Sequence, residues 1–461
     1  MDTDDSKLTQ SQKPGGKKRK VALFVAFVGA GYSGMQHNPG CKTIEGELGS
    51  ALNKAGAISN ENAGEFSKVQ WNRAARTDKG VSAAGNVVSL KMMIGYPDIV
   101  ERINSNLPAQ IRVLGFTRVT NSFDARKHCD RRRYEYILPA FMFDPAFRAA
   151  ETNTPIGAAG GPLAKASASA QDERPSVRRS AADGAAAAAT AEAAGSRQCR
   201  FSEEQQARLN EVLGAFEGTH SFHNYTVRVP ASDPAAKRYI LSFKCAGTME
   251  LEGQQWVRMV VVGQSFMLHQ IRKLVGTAVA VMRSLAPPDA ITLALDPGRV
   301  VITPMAPELG LFLDECVFES YNDRWGNDRE ACVRLAAFQD QVDAFKSERI
   351  YPHIASYDAK NGTNAAWLSC LTEGNFRFSE WRTSQLIQPV QEATEGRPAQ
   401  NGRAGGSSAK RKAPNGTAHA NGQGKHARQT EDAMGKEGDP PVRRKVPAKY
   451  TDKSMEAEWS D

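Results

Sequence analysis

Arg73-Ala74-Ala75-Arg76-Thr77-Asp78-Lys79-Gly80-Val81-Ser82-Ala83 sets one carboxylate, Asp78, between two cations, Arg76 and Lys79. Upstream, Val69 and Trp71 alternate with polar neighbours; downstream comes Val87-Val88-Ser89-Leu90-Lys91-Met92. Read outward from Asp78, the stretch is the turn of a strand pair with Asp-Lys-Gly at its tip. Asp and Gly are ordinary turn residues, so the plain reading is a hairpin tip. The cations add another. A carboxylate held between fixed positive charges stays ionised at neutral pH and suits a nucleophile or base better than an acid.

The 461-residue length allows two or three domains. Lys and Arg total 59 against 51 Asp and Glu, a net charge of +8, which favours a polyanionic partner such as nucleic acid. The seven cysteines, at 41, 129, 199, 245, 316, 332 and 370, form no CxxC pair, so reduced thiols and no metal site are expected. No apolar run approaches the ~20 residues of a membrane helix, and no secretory segment opens the chain; a soluble intracellular protein is expected. Asp2, Asp4 and Asp5 argue against a mitochondrial presequence at this start, so a mitochondrial form would need another one. Lys17-Lys18-Arg19-Lys20, Lys410-Arg411-Lys412 and Arg443-Arg444-Lys445 read either as nuclear-import clusters or as solvated, RNA-attracting tails; the expected location is the nucleus.

Along the chain, residues 1–20 are polar and expected to be disordered, and Val21 to Val28 reads as a buried strand. Gly29-Ala30-Gly31-Tyr32-Ser33-Gly34 matches GxGxxG, but Met35-Gln36-His37-Asn38-Pro39-Gly40 follows in place of the helix that a dinucleotide site needs. A flexible loop crossing an RNA surface fits better. Thr43 reads as the N-cap of a helix with an Ile44, Leu48, Leu52, Ala55 stripe. A short helix is expected over Tyr96 to Asn104 and a strand over Ile111 to Val119. Asp130-Arg131-Arg132-Arg133-Tyr134-Glu135-Tyr136 runs from clustered guanidinium groups into a strand that sends both tyrosines to one face. Either the tyrosines face the core and the arginines face water, or the arginines hold phosphate and one tyrosine stacks on a base.

Residues 149–198 are an Ala-, Ser- and Gly-rich insertion. The fold resumes at Phe201, with a Ser202/Gln205 capping box. His220 and His223 form an HxxH without the following Glu of a zinc helix, so a loop shaping the substrate cleft is the better reading. Strands are expected at Arg238 to Cys245 and Trp256 to Val262. A long helix opening at Gln264 is expected to end before Pro287, with Leu268, Ile271 and Leu274 on its apolar stripe and Arg272 at the margin, where a half-buried cation needs an anionic partner. Helical spacing runs from Tyr321 to Arg377, and after about Pro389 the chain is expected to be disordered. This order of elements, without regular βαβ alternation, gives α+β with a mainly antiparallel sheet.

Beside these readings, ARTDKGVSAAG resembles the signature of the TruA-type tRNA pseudouridine synthases, most closely their eukaryotic branch. FVGAGYSGMQ, KTIEGEL, INSNLPAQIRVLG, FDARKHCDRRRYEYILP, GTHSFHNYT, GQSFMLHQIRKLVG and GLFLDE follow that branch in order, from about Val21 to Phe378. The resemblance implies two similar halves sharing one sheet, residues 21–148 and 199–320, with a basic catalytic cleft between them and a helical extension over 321–385. It implies isomerisation of uridine in tRNA, with messenger or small nuclear RNA also open as substrates. No cofactor or metal is implied, and a monomer is favoured. Asp78 becomes the nucleophile or base, paired to Arg272; Tyr134 the active-site aromatic, with Tyr136 left to the core; Arg76 the residue that holds the gap left by a flipped base. Lys79, Arg131, Arg132 and Arg133 become substrate contacts, so binding should weaken steeply with salt. Two other readings stand beside it. A non-catalytic RNA-binding or RNA-folding protein would have lost the aspartate or the second motif, and a nucleotide-dependent enzyme would be built on Gly29 to Gly34.

Overall fold

The computed structural model describes residues 17–148, 199–326 and 332–384. The 149–198 insertion and the basic clusters at 410–412 and 443–445 lie outside the described residues. Nine strands make one sheet: β1 (Lys18–Phe27), β2 (Asn72–Arg73), β3 (Ser82–Met93), β4 (Ile111–Arg118), β5 (Arg131–Pro139), β6 (Gly218–Ser221), β7 (Lys237–Leu251), β8 (Gln254–Gly263) and β9 (Leu311–Val317). Their order is β4-β1-β3-β9-β5-β8-β7-β6, with β2 beside β3. Every pairing is antiparallel except β3 with β9, which run parallel through Ser82 opposite Phe312 and Ala83 opposite Leu313. Strand β5 precedes the insertion in sequence, yet its neighbours β8 and β9 both come after it. The α+β sheet is mixed and open, and its parallel seam lies where the stretch containing Asp78 enters β3.

Most elements stand where pattern puts them. Thr43 caps the helix Ile44–Lys54 by accepting from the Gly46 N–H, and Ser202 with Gln205 forms the capping box of Glu203–Gly214. Three boundaries move. Strand β1 begins at Lys18, and Lys20 is 4% exposed, its ammonium donating to the Gln70 carbonyl at 2.9 Å; part of the first basic cluster is therefore sheet and not tail. The strand before Asp78 shrinks to Asn72–Arg73, and residues 74–81 form a loop. The helix expected from Gln264 is Gln270–Met282, which leaves 264–269 as loop and Leu268 exposed.

Glycines let the helical C-terminal region lie close on the sheet. A Cβ on Gly85 of β3 would stand 2.3 Å from Leu335, and one on Gly115 of β4 would stand 2.2 Å from Phe338. The π-helical turn Lys346–Ile350 carries Lys346 into the centre, where its ammonium reaches Glu135 and Asp314, each at 3.0 Å. Glu135 also accepts from Arg258 at 3.1 Å and from the Tyr351 hydroxyl at 2.7 Å, and Asp314 from Arg133 at 2.6 Å. Buried charge survives where it is paired and hydrogen-bonded in this way. Burial pushes the Asp314 carboxyl up, but Lys346 and then Arg133 more than reverse this and hold it below the usual carboxylate value.

Candidate active site

The loop that carries Asp78 is fastened along its length. The Ala74 N–H donates to Val87 (2.8 Å), and the fully buried Asn86 amide donates to the Ala75 carbonyl (3.0 Å). A turn closes from the Val81 N–H to the Asp78 carbonyl at 3.1 Å, with Gly80 at φ +79°, a backbone angle that glycine adopts without strain. The Gly29–Gly34 segment runs against this turn. A Cβ on Gly29 would meet the Val81 carbonyl at 2.3 Å, and one on Gly34, at φ +97°, would meet the Thr77 carbonyl at 2.6 Å. Those two glycines serve backbone-on-backbone packing, and the next helix does not start until Ile44, so the dinucleotide reading falls. Beneath the loop, buried Glu45 pairs with Arg73 and accepts from the Trp71 indole at 2.7 Å.

A cavity of about 610 Å³ opens over Asp78, and Arg76, Lys79, Tyr134, His269 and Arg272 line it with Asp78. Five residues from three separate motifs thus meet the sixth, His269, which the sequence reading passed over. The Asp78 side chain is 40% exposed, and its carboxylate stands 3.6 Å from His269 Nδ1. Burial lowers the His269 pKa, Asp78 opposes this, and Arg272 and Lys273 add to the lowering; the imidazole is therefore neutral at pH 7. His269 has φ +62°, uncommon outside glycine and often found where function fixes a conformation. An HxxR spacing at a helix start was the available signal.

Arg272 differs from expectation. Its guanidinium pairs with Glu308 at 2.9 Å and donates to the Ala306 carbonyl at 2.7 Å, so its anionic partner here is Glu308, which the sequence reading did not consider, and not Asp78. Tyr134 is buried against Phe266, ring centroids 5.3 Å apart and edge to face. Burial pushes its hydroxyl far above the usual tyrosine value, so it stays a neutral phenol. Tyr136 lies in the core, its hydroxyl donating to the Pro307 carbonyl.

The arginine cluster is corrected most. Arg131 pairs with Glu319, and Arg133 with Asp314 and, at 3.0 Å, Glu315. Arg132 donates to the carbonyls of Ala74 (2.8 Å), Gln264 (2.7 Å) and Cys129 (3.2 Å). None of the three lines the cavity. A guanidinium engaged by protein acceptors has fewer donors left for phosphate, and Arg132 is better described as the clamp that ties the Asp78 loop to the loop carrying His269. The HxxH histidines likewise bond to backbone, His220 to Glu217 and His223 to Arg299, each at 2.7 Å. None of the residues 218–225 lines the cavity, and the loop they open meets Lys273, one residue beyond Arg272, whose ammonium donates to the Asn224 and Thr226 carbonyls, each at 3.1 Å.

A carboxylate 40% exposed, lining one cavity with Arg76, Lys79 and Arg272, suits carboxylate chemistry on a polyanion. The family model described as tRNA pseudouridine synthase matches residues 213–319. The chain is similar to the pseudouridylate synthase 1 homolog of Homo sapiens, 39% identical over 77% of this chain and 74% of that protein. It is similar also to tRNA pseudouridine synthase 1 of Yarrowia lipolytica, 39% identical over 73% and 71%, and of Saccharomyces cerevisiae, 34% identical over 70% and 66%. The chain belongs to the tRNA pseudouridine synthase family.

Proposed function

We propose that this protein converts uridine to pseudouridine in tRNA, with Asp78 starting glycosidic cleavage as nucleophile or base. The observation that carries this is the convergence of Asp78 with Arg76, Lys79, Tyr134, His269 and Arg272 in one cavity beside the parallel seam of the sheet. In the reaction the N1–C1′ bond breaks, the uracil turns, a C5–C1′ bond forms, the C5 proton leaves and N1 gains one; the oxidation level is unchanged. Tyr134, whose hydroxyl burial pushes above the usual tyrosine value, offers a ring to the uracil and a phenolic O–H for hydrogen bonding. Because C1′ is shielded in a stacked helix, the uridine must turn out of it. Arg76, which is exposed and lines the cavity, holds the gap or the phosphate beside it in this reading.

The names of the relatives support tRNA as substrate, and messenger or small nuclear RNA that presents an extrudable uridine falls within the same reading. The protein acts as a monomer in the nucleus, the clusters at 410–412 and 443–445 serving import. Tritium release from tRNA labelled at uracil C5 tests the activity. Wild type should release tritium, and Asp78→Asn should give only background while still binding. Binding by both with release by neither would hand the protein to the RNA-binding reading.

A further inference from the structure

Next to the catalytic cavity the chain displays an aliphatic side chain on a rigid mount. The Gln270 N–H donates to the Met267 carbonyl at 3.1 Å, and the Gln270 side-chain oxygen accepts from the Met267 N–H at 2.8 Å. That closes a turn with Leu268 and His269 at its tip. His269 occupies the position where φ is +62° and ψ 4°, which glycine or asparagine ordinarily fills in a turn of this kind. The Leu268 carbonyl accepts from the Thr226 hydroxyl at 3.0 Å. The Leu268 side chain is nevertheless 49% exposed while also lining the cavity. The neighbouring loops carry more exposed aliphatic surface, Val227 at 39% and Ile302 at 67%. They are laced together through Asn224, which accepts from the Val301 N–H (3.0 Å) and the Thr303 hydroxyl (2.6 Å).

An apolar peg fastened beside Asp78, at a cavity that also presents Arg76 and Lys79, fits an RNA stack better than a protein: the cations address phosphate, and the peg addresses the faces of bases. We propose that Leu268 is a wedge that enters the RNA stack where the target uridine leaves it, with Val227 and Ile302 as the apolar shelf for the flanking nucleotides. This rests on the uridine-isomerase reading and adds how the site gains access to a stacked base. One turn then does two jobs: Leu268 holds the stack open while His269 stands against the carboxylate that meets the extruded nucleotide.

The test compares wild type, Leu268→Ala and Leu268→Met by tritium release on two tRNAs that differ only in whether the target uridine is paired or faces a deleted partner. Because a wedge acts on unstacking, Leu268→Ala should lower kcat/KM on the paired substrate by about tenfold more than on the unpaired one, and Leu268→Met should restore most of the loss. Equal losses on both substrates, or none on the paired one, overturn the wedge. Leu268→Ala should melt at the wild-type temperature, since the side chain is half exposed. A second readout needs no turnover: 2-aminopurine beside the target uridine should brighten on binding Asp78→Asn and fail to brighten with Asp78→Asn/Leu268→Ala. Brightening with both also overturns the wedge. Absence of tritium release by wild type on either tRNA counts against the isomerase reading, and the fluorescence then decides the wedge by itself.

Discussion

Lys346→Met probes the element that joins the C-terminal helices to the sheet. The substitution keeps an unbranched apolar stem near Phe312, whose ring centre lies 5.5 Å from the ammonium, and removes the charge between Glu135 and Asp314. Both carboxylates are buried, at 1% and 4% exposure, but neither is left alone: Glu135 keeps Arg258 and Tyr351, and Asp314 keeps Arg133. Two charge-assisted hydrogen bonds at about 1.5–3 kcal/mol each, offset by no longer desolvating the ammonium, give a net loss of about 3 kcal/mol. Urea unfolding should show this as a lower midpoint at unchanged slope. The acid side should change too. Asp314 is held below its ordinary value, so its contribution is present above that value and lost as pH falls through the folded one. Lys346→Met weakens that hold, and the difference from wild type should shrink in acid. A loss below about 1 kcal/mol at neutral pH would refute the reasoning, because truncating one member of a buried, fully bonded ionic group costs more than that.

Three further outcomes follow from the site. Arg132→Met removes the clamp between the Ala74 and Gln264 carbonyls and should lower kcat more than it raises KM; a pure rise in KM would return Arg132 to phosphate binding. His269, whose ring is faced by Asp78, Arg272, Lys273 and Glu308, has its pKa lowered below the ordinary 6.5, so its neutral form contributes stability above that value which is lost as pH falls. Protonation also changes the charge beside Asp78, so kcat/KM should change in mild acid, and His269→Gln should flatten that limb; an unchanged limb would assign it to another group. If Arg76 and Lys79 touch RNA phosphate, each alanine variant should reduce the slope of log affinity against log salt by about 0.7–0.9, and Arg131→Ala should leave it nearly unchanged. A larger drop for Arg131→Ala would restore the arginine cluster as the RNA footprint.

The sequence carried most of the architecture because its elements have local signatures. Thr43 and Ser202 announce their helices through side chains that accept from backbone three residues on, and β8 is legible as a nearly unbroken apolar run. Long-range choices were harder to see. The order β3-β9-β5 depends on a two-residue parallel contact between Ser82–Ala83 and Phe312–Leu313, and no periodicity encodes it. Lys346 sits among polar neighbours in KSER and looks like a solvated lysine until the fold supplies Glu135 and Asp314. The arginines from 131 to 133 show the same limit from the other side. Clustered cations suggest phosphate, but a strand between two neighbours sends successive side chains to different partners, and here those partners are Glu319, three loop carbonyls and Asp314.

The Arg272 mismatch bears on how the site works. Sequence logic asks for one anion beside this cation, and the structure supplies Glu308, which takes the guanidinium, while Asp78 lines the cavity beside a neutral imidazole. The two carboxylates differ in their freedom. Asp78 is carried by a loop pinned at Ala74, Ala75, Thr77 and Val81, whereas the Glu308 side chain is 53% exposed and is held by an Arg272 side chain only 11% exposed, a cation that loses stability without a partner. Arg272 is anchored on its other side by the Ala306 carbonyl. Glu308 thus satisfies the guanidinium, and Asp78, which lines the cavity, is left outside that ion pair.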